Sequence, residues 1–309
     1  PVLNFVSSAN HREPDWREAL ARLGLHALVR FDSVAPPEDG ERRLYESLAL
    51  LLESARGQLE RLIADQQAQR HARQQSAARL IAELLIDCAA CRRSVNTEAG
   101  EEQQAVSQLH TAIRQREQRC VEALLKLYGF RPQDADAGDL PLLDGRWGDD
   151  LFNPETLKQL GVRVGGGIAA GAAAGAGVDL LVGGLTLGAA ALAGAIAGGA
   201  LQTARSYGSR LLGKLKGQRE LTIDDSVLRL LALRQRQLLQ ALNLRGHAAM
   251  DSIKVAAPQD KTWREGKLPA ALTRARAHPQ WSSLNPGARL SQAQRQEEVE
   301  ALSHVLNDL

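Results

Sequence analysis

Three cysteines are the first residues in this sequence that could do chemistry. Cys88 and Cys91 form a Cys-x-x-Cys pair, a spacing used by zinc sites and redox centres, and Cys120 stands alone. A zinc site needs four ligands, and the sequence has neither a second cysteine pair nor a His-x-x-x-His motif to supply the others. Cys88 and Cys120 fall on the apolar faces of predicted helices. We therefore expect buried thiols that pack in the core and no metal site.

The sequence contains no other recognisable catalytic group. Its seven histidines are scattered, and none accompanies an evident nucleophile. The motif Gly-x-x-x-x-Gly-Lys-Ser/Thr, whose backbone cradle and lysine hold nucleotide phosphates, is missing. We expect this chain not to be an enzyme by itself and to carry no cofactor or metal. The Gln- and Arg-rich run at residues 65–76 lacks the interleaved aromatics of a nucleic-acid surface, so nucleic acid is not an expected partner.

The most unusual segment is the apolar run at residues 164–204, whose single charge is Asp179. Glycines recur every four residues within three sets, one of three glycines and two of two, which places each set on one helix face where a second helix can approach closely. They are Gly167, Gly171, Gly175, Gly184, Gly188, Gly194 and Gly198. In water each would cost a helix about 1 kcal/mol relative to alanine, so the pattern predicts packing against lipid or protein. We expect a helical hairpin with its turn at residues 177–184 and Asp179 at the tip.

Basic residues flank this hairpin in the sequence and indicate that it lies at a membrane surface. Arg205, Arg210, Lys214 and Lys216 follow it, and anionic lipid attracts such side chains by about 1 kcal/mol each. The first arm has about fifteen uncharged residues, short of the ~20 needed to span a bilayer, so the hairpin would dip into lipid. The alternative is a soluble hairpin buried in the protein's own core.

Composition favours a helical cytoplasmic protein. The chain has 309 residues, enough for two or more compact units, and aromatics make up 4% of them. The apolar residues are mainly leucine and alanine, which favour helices over sheets. A net charge of +2 creates no global field that would attract nucleic acid. Three cysteines without a signal-like first segment predict a cytoplasmic location, with peripheral or hairpin-inserted attachment to the inner membrane.

The first 57 residues alternate between predicted strands and helices. Apolar runs at residues 2–6 and 26–31 predict strands, and a helix at residues 15–23 between them ends at Gly24. A second helix should open at residues 38–41. Such alternation predicts parallel strands, and since two strands do not make a stable sheet, we expect the missing strands upstream in a longer polypeptide.

From residue 57 onward the periodicity is helical. Two long amphipathic helices should be joined near residues 96–100, and the second should stop at Gly129. A further helix is expected at residues 224–244, then an irregular region at 263–286 and a last helix from Ser291. The predicted fold class is therefore mainly α, with long helices and a Gly/Ala-rich hairpin after a truncated α/β remnant of two strands.

The first residues resemble the last third of a small GTP-binding domain of the Era/TrmE type. In that family a strand closes with Asn-Lys-x-Asp, which reads guanine, and Pro-Val-Leu-Asn-Phe-Val-Ser at residues 1–7 places Asn4 at the asparagine position. Phe5 and Ser7 stand where the family has lysine and aspartate. The resemblance implies a degenerate guanine motif at Asn4, an upstream GTPase domain in the same polypeptide, and GTP as the nucleotide of that parent protein.

The rest of the chain resembles the uncharacterised helical region that follows such GTPase domains in proteobacteria. Three features carry this resemblance. One is the glycine-rich segment with Gly-Gly-Leu-Thr-Leu-Gly at 183–188, and the others are two later motifs, Lys-Leu-Pro at 267–269 and Pro-Gln-Trp-Ser at 279–282. We expect four parts, which are an α/β remnant, a helical stalk with a loop, the hairpin with its basic flank, and a C-terminal helical region. Their predicted bounds are 1–57, 58–150, 151–219 and 220–309.

Two functions follow from these features. The first is an effector and membrane-association region of a bacterial GTP-binding protein, in which the hairpin glycines pack the helices and the basic flank meets lipid headgroups at the inner membrane. The second is a soluble helical scaffold that binds a protein partner, with the Gly/Ala hairpin as its core. The sequence does not identify that partner.

Overall fold

The computed structural model describes eleven stretches of the chain. They are residues 2–4, 12–31, 39–95, 101–131, 142, 145–153, 156, 178–181, 219–244, 261–264 and 266–307. In these stretches the fold is mainly helical, as the sequence predicts. The chain divides into two compact units. The first unit comprises Pro1–Gln74, Leu125–Gly145 and Gln237–Ala256, and the second comprises Gln75–Leu124, Arg146–Arg236 and Ala257–Leu309.

The first unit contains a small parallel sheet. Strand β1 (Val2–Asn4) pairs with β2 (Val29–Phe31), and helix α1 (Glu13–Arg22) connects them. Helix α2 (Gly40–Leu51) packs against β2. The predicted strand, helix, strand and helix are therefore all confirmed, with strands shorter than expected.

Two glycines end helices as the sequence predicts. Gly24 and Gly129 both have positive φ, 73° and 77°, a conformation that side chains disfavour. After α1, the Gly24 amide bonds to Ala21 O and the Leu25 amide to Leu20 O, which is the Schellman pattern that satisfies the last carbonyls of a helix.

Three long helices build most of the core. Helix α3 (Arg56–Ala90) is exposed in its polar first half and almost entirely buried from Ala77 onward. Helix α4 (Glu101–Leu127) buries its predicted apolar face, which includes Leu109, Ile113 and Leu124. Helix α5 (Asp225–Leu244) starts where expected because Asp224 Oδ1 accepts the Ser226 amide at 2.6 Å and caps it.

The second unit also contains an antiparallel sheet that the sequence analysis missed. Its order is β3 (Arg93–Val95), β5 (Arg219–Ile223) and β4 (Val178–Leu181). The prediction of a hairpin turn with Asp179 at its tip is therefore wrong at this point. Asp179 lies inside β4 opposite Thr222, because the backbone of the segment pairs with β5. The remaining residues of the glycine-rich segment lie outside the described residues.

The tail is more regular than predicted. Residues 263–286 were expected to be irregular, but helices α6 (Lys261–Arg264) and α7 (Ala270–Ala277) and a 3₁₀ turn at Pro279–Trp281 occupy much of this region. Pro269 precedes α7 directly, where its missing N–H costs the helix nothing. The last helix, α8, spans Ala293–Asn307 and begins two residues after the predicted start.

Candidate functional site

A cleft lies within the second unit. Its volume is about 800 Å³. One face of α4, the loop at residues 146–151 and one arginine from α5 form its walls. The charged and aromatic residues that line it are Arg114, Glu117, Arg119, Arg146, Trp147, Asp149, Asp150 and Arg234. Four arginines thus face three carboxyl groups.

Side-chain contacts fix the loop against α4. Arg114 donates two hydrogen bonds of 2.9 Å to the Asp150 carboxylate, and its guanidinium lies 5.0 Å from the Phe152 ring centroid. The His110 ring stacks on Phe152 with centroids 3.6 Å apart. Partial burial raises the pKa of Asp150, but hydrogen bonds from Arg114 and the Phe152 amide outweigh it and lower that pKa below its ordinary value. Asp150 is therefore an ionised anchor of the loop.

Arg234 forms the floor of the cleft and is almost fully buried. Its Nη2 donates to Asp149 O at 2.8 Å, and its guanidinium lies 5.3 Å from the Trp147 ring centroid. Nη1 lies 3.6 Å from Glu117 Oε1, longer than a hydrogen bond. The buried cation is therefore held firmly by a backbone carbonyl and loosely by a carboxyl group.

Glu117 is the unusual ionisable group of the cleft. It is 5% exposed, and its other contact is a long hydrogen bond of 3.4 Å from Gln235 Nε2. Burial raises the pKa of Glu117 to about 7, although Arg234 opposes the shift. The change between the protonated and ionised forms of this carboxyl group therefore falls near neutral pH.

A second charged cluster lies in the core around Asp87. Its Oδ2 accepts from Arg116 Nε at 2.6 Å and from Ser283 Oγ at 2.9 Å, and its Oδ1 accepts from the Ser283 amide at 3.0 Å and from Arg295 Nη2 at 3.2 Å. Each carboxylate oxygen thus has two donors, and the cluster ties α3 to α4 and to the tail. With every lone pair occupied, its chemistry is structural.

The three cysteines are buried and free, as the sequence predicts. Burial raises the pKa of Cys91 to about 11 and that of Cys120 to about 12, and it raises that of Cys88 as well. These thiols are protonated at physiological pH and are poor nucleophiles. Among the described residues, no three His, Cys, Asp or Glu side chains form a metal-binding group.

Of the other predicted site residues, the structure describes only Asn4. Asn4 lies in β1 opposite Phe31. The seven hairpin glycines and the basic flank residues Arg205, Arg210, Lys214 and Lys216 lie outside the described residues. In the part of the chain that the structure describes, no helix has the length and hydropathy that a bilayer crossing requires.

The sequence analysis missed the residues of the cleft, although a signal was present. Glu117 lies four residues after Ile113 and three before Cys120, so a charge interrupts the apolar face of α4. Arg234 interrupts the apolar run of α5 in the same way. A charge on a buried face needs a partner of opposite charge, so each of these residues predicts that such a partner exists without identifying it.

These features define a mainly helical protein with a small antiparallel sheet and an arginine-rich cleft, a class that does not by itself identify an activity. The chain belongs to the family described as a domain of unknown function, DUF3482, whose model matches residues 17–304. No curated protein matches the chain significantly, and neither does any solved structure.

Proposed function

We propose that this chain is the helical effector region of a bacterial GTP-binding protein and is not catalytic by itself. In this proposal a neighbouring GTPase domain binds GTP, and the helices of the chain carry its nucleotide state to a partner. The chain has no P-loop, which such enzymes need to hold the phosphates. The degenerate guanine motif at Asn4 would belong to the edge of that neighbouring domain.

The observation that carries the proposal is the exposed apolar face beside the parallel strands of the first unit. Trp16 and Leu20 of α1 and Leu23, which directly follows it, are spaced i, i+4 and i+7, and Trp16 and Leu23 are 59% and 74% exposed. Helix α1 has no buried residue. Parallel sheets are normally covered on both faces, and a two-stranded sheet is marginal in water. An adjoining α/β domain with further parallel strands would cover this face.

The surface that meets the partner has two candidates. Membrane association at the cytoplasmic face of the inner membrane would use the glycine-rich segment at residues 164–204 and its basic flank. A soluble protein-binding scaffold would keep that segment in the core. The pairing of β4 with β5, whose Leu221 and Ile223 are fully buried, favours the scaffold because it ties the middle of the segment to the second unit.

Isothermal titration tests the nucleotide part of the proposal. Residues 1–309 should show no GTP site of micromolar affinity, whereas the intact gene product that contains them should show one. Micromolar binding by residues 1–309, or no binding by the intact gene product, would contradict the proposal.

Vesicle flotation separates the two candidate surfaces. If the basic flank binds lipid, replacing Arg205, Arg210, Lys214 and Lys216 by Gln should weaken binding to anionic vesicles by a few kcal/mol, at about 1 kcal/mol per charge. The matched control replaces four exposed arginines of α3 by Gln, which are Arg61, Arg70, Arg73 and Arg79. If wild-type protein does not float with the vesicles, the soluble scaffold is the candidate that remains. Flotation lost only in the flank variant establishes membrane association.

A further inference from the structure

The rim and floor of the cleft present an excess of positive charge. With all groups ionised, four arginines against three carboxyl groups give a net charge of +1, and protonating Glu117 makes it +2. Arg119 and Arg146 are exposed, and no carboxylate of the described residues pairs with either. Guanidinium groups bind phosphate in a bidentate manner, so this lining suits a phosphate-bearing anion.

A second observation in the cleft also points to a ligand. The indole Nε1 of Trp147 is a buried donor with no acceptor among the described residues. A buried donor without a partner is unfavourable, so an acceptor that reached this nitrogen would be favoured.

Glu117 is the group that an incoming anion must displace. Its two polar contacts, 3.6 Å to Arg234 and 3.4 Å to Gln235, are long and therefore weak. We propose that the cleft binds a small phosphate-bearing anion on Arg234, Arg119 and Arg146, and that Glu117 takes up a proton as the anion replaces its carboxylate beside Arg234. This inference does not depend on the proposed function.

The other ionisable groups around Glu117 do not compete for this proton. Arg234 of α5 is the guanidinium that faces Glu117, and Asp150 of the loop stays ionised because its pKa is lowered. The thiols of Cys88 on α3 and Cys120 on α4 have raised pKa values and stay neutral near pH 7. Burial raises the pKa of Glu117 to about 7, so its proton uptake falls in the neutral range.

Titration calorimetry of the chain with pyrophosphate tests the linkage. In the wild type at pH 8, most Glu117 is ionised, so binding should take up nearly one more proton than in Glu117→Gln. Repeating the titrations in buffers of different ionisation enthalpy gives the number of protons taken up by each variant. Protonation of pyrophosphate itself contributes equally to both, so it cancels in the difference. Because pH 8 lies one unit above the pKa of Glu117, Glu117→Gln should bind about tenfold more tightly than wild type, and the two should converge at pH 6.

Charge-matched variants test the location of the site. Arg119→Gln with Arg146→Gln should weaken pyrophosphate binding at least tenfold at constant ionic strength, whereas Arg61→Gln with Arg79→Gln, two exposed arginines outside the cleft, should change it less than twofold. Citrate, a carboxylate anion, should bind at least tenfold more weakly than pyrophosphate. No saturation by 10 mM pyrophosphate, equal losses in the two variant pairs, equal binding of citrate, or identical proton uptake in Glu117→Gln would each overturn the proposal.

Discussion

Asp87 shows how much of this fold depends on a single buried charge. The residue is 2% exposed, and its carboxylate pairs with Arg116 of α4 and Arg295 of α8. Ser282 and Ser283 complete the cluster, with Ser282 Oγ donating to the Asp87 backbone carbonyl at 2.7 Å. The tail is therefore attached to the core through polar contacts to one residue as well as through apolar packing.

Asp87→Asn should destabilise the chain by about 3 to 5 kcal/mol, because it leaves the partly buried guanidinium group of Arg116 and the buried one of Arg295 without a counter-charge. Urea denaturation followed by far-UV circular dichroism measures this loss. The control is Asp149→Asn on the exposed loop, which should stay within about 0.5 kcal/mol of wild type. Equal stability of Asp87→Asn and wild type would show that the cluster is not essential.

Glu117 predicts a pH dependence of stability with a definite sign. Its pKa rises from 4.5 to about 7 on folding, so between these values the folded state holds a proton that the unfolded state has released. The free energy of unfolding should therefore fall as pH rises through this window, by about 3 kcal/mol in all, and level off above it. Glu117→Gln should lack this component. Urea denaturation of both proteins from pH 5 to pH 8 measures the difference between their free energies of unfolding. A difference that stays constant over this range would contradict the raised pKa of Glu117.

At the residue level, the sequence predicts the apolar core better than the polar one. Burial of Cys88 and Cys120 follows from their positions on apolar helix faces and is confirmed, and Cys91, directly after the end of α3, is buried as expected too. The partners of Asp87 and Glu117 could not be predicted, because Arg295 and Arg234 lie more than one hundred residues away in sequence. Only tertiary packing brings such pairs together.

At the element level, β4 changes the interpretation of the glycine-rich segment. Val178–Leu181 pairs in antiparallel fashion with β5 along its whole length. A strand in a sheet satisfies its backbone groups through a neighbour, which a lipid-inserted turn could not do. This part of the segment therefore belongs to the sheet of the second unit.

Hydrogen exchange of the chain without lipid should show slow exchange at those amides of residues 178–181 that bond to β5. Protection should match that of Arg219–Ile223, because each strand of the pair protects the other. Thr222→Pro, which removes one donor from β5, should increase exchange in both strands. Exchange at the unfolded-chain rate in wild-type residues 178–181 would contradict the pairing.

The long helices were predictable, and the strands of the antiparallel sheet were not. The bounds of α5 and the glycine stops of α1 and α4 follow from local capping and periodicity, and these predictions are confirmed. Strands β3 and β4 span three and four residues, too few to show an alternating pattern. Their pairing joins residues 93–95 and 178–181 to 219–223, a connection that local sequence does not encode.

At the scale of the whole molecule, the two units carry different features. The first carries the parallel strands and the exposed face of α1, and the second carries the buried clusters and the cleft. The mainly α class follows from composition and periodicity and is confirmed. Attachment to a GTPase domain remains a prediction, since it rests on the exposed face of α1 and on the resemblance of the first residues.

Hydrogen exchange of the intact gene product, with GDP or with a non-hydrolysable GTP analogue, tests the effector proposal most directly. Exchange at Glu13–Arg22 and Val29–Phe31 should change between the two nucleotides, because these elements would contact the GTPase domain. Residues 1–309 alone should show no change with either nucleotide. Identical exchange in these elements with both nucleotides bound, or a nucleotide effect in residues 1–309 alone, would contradict the account.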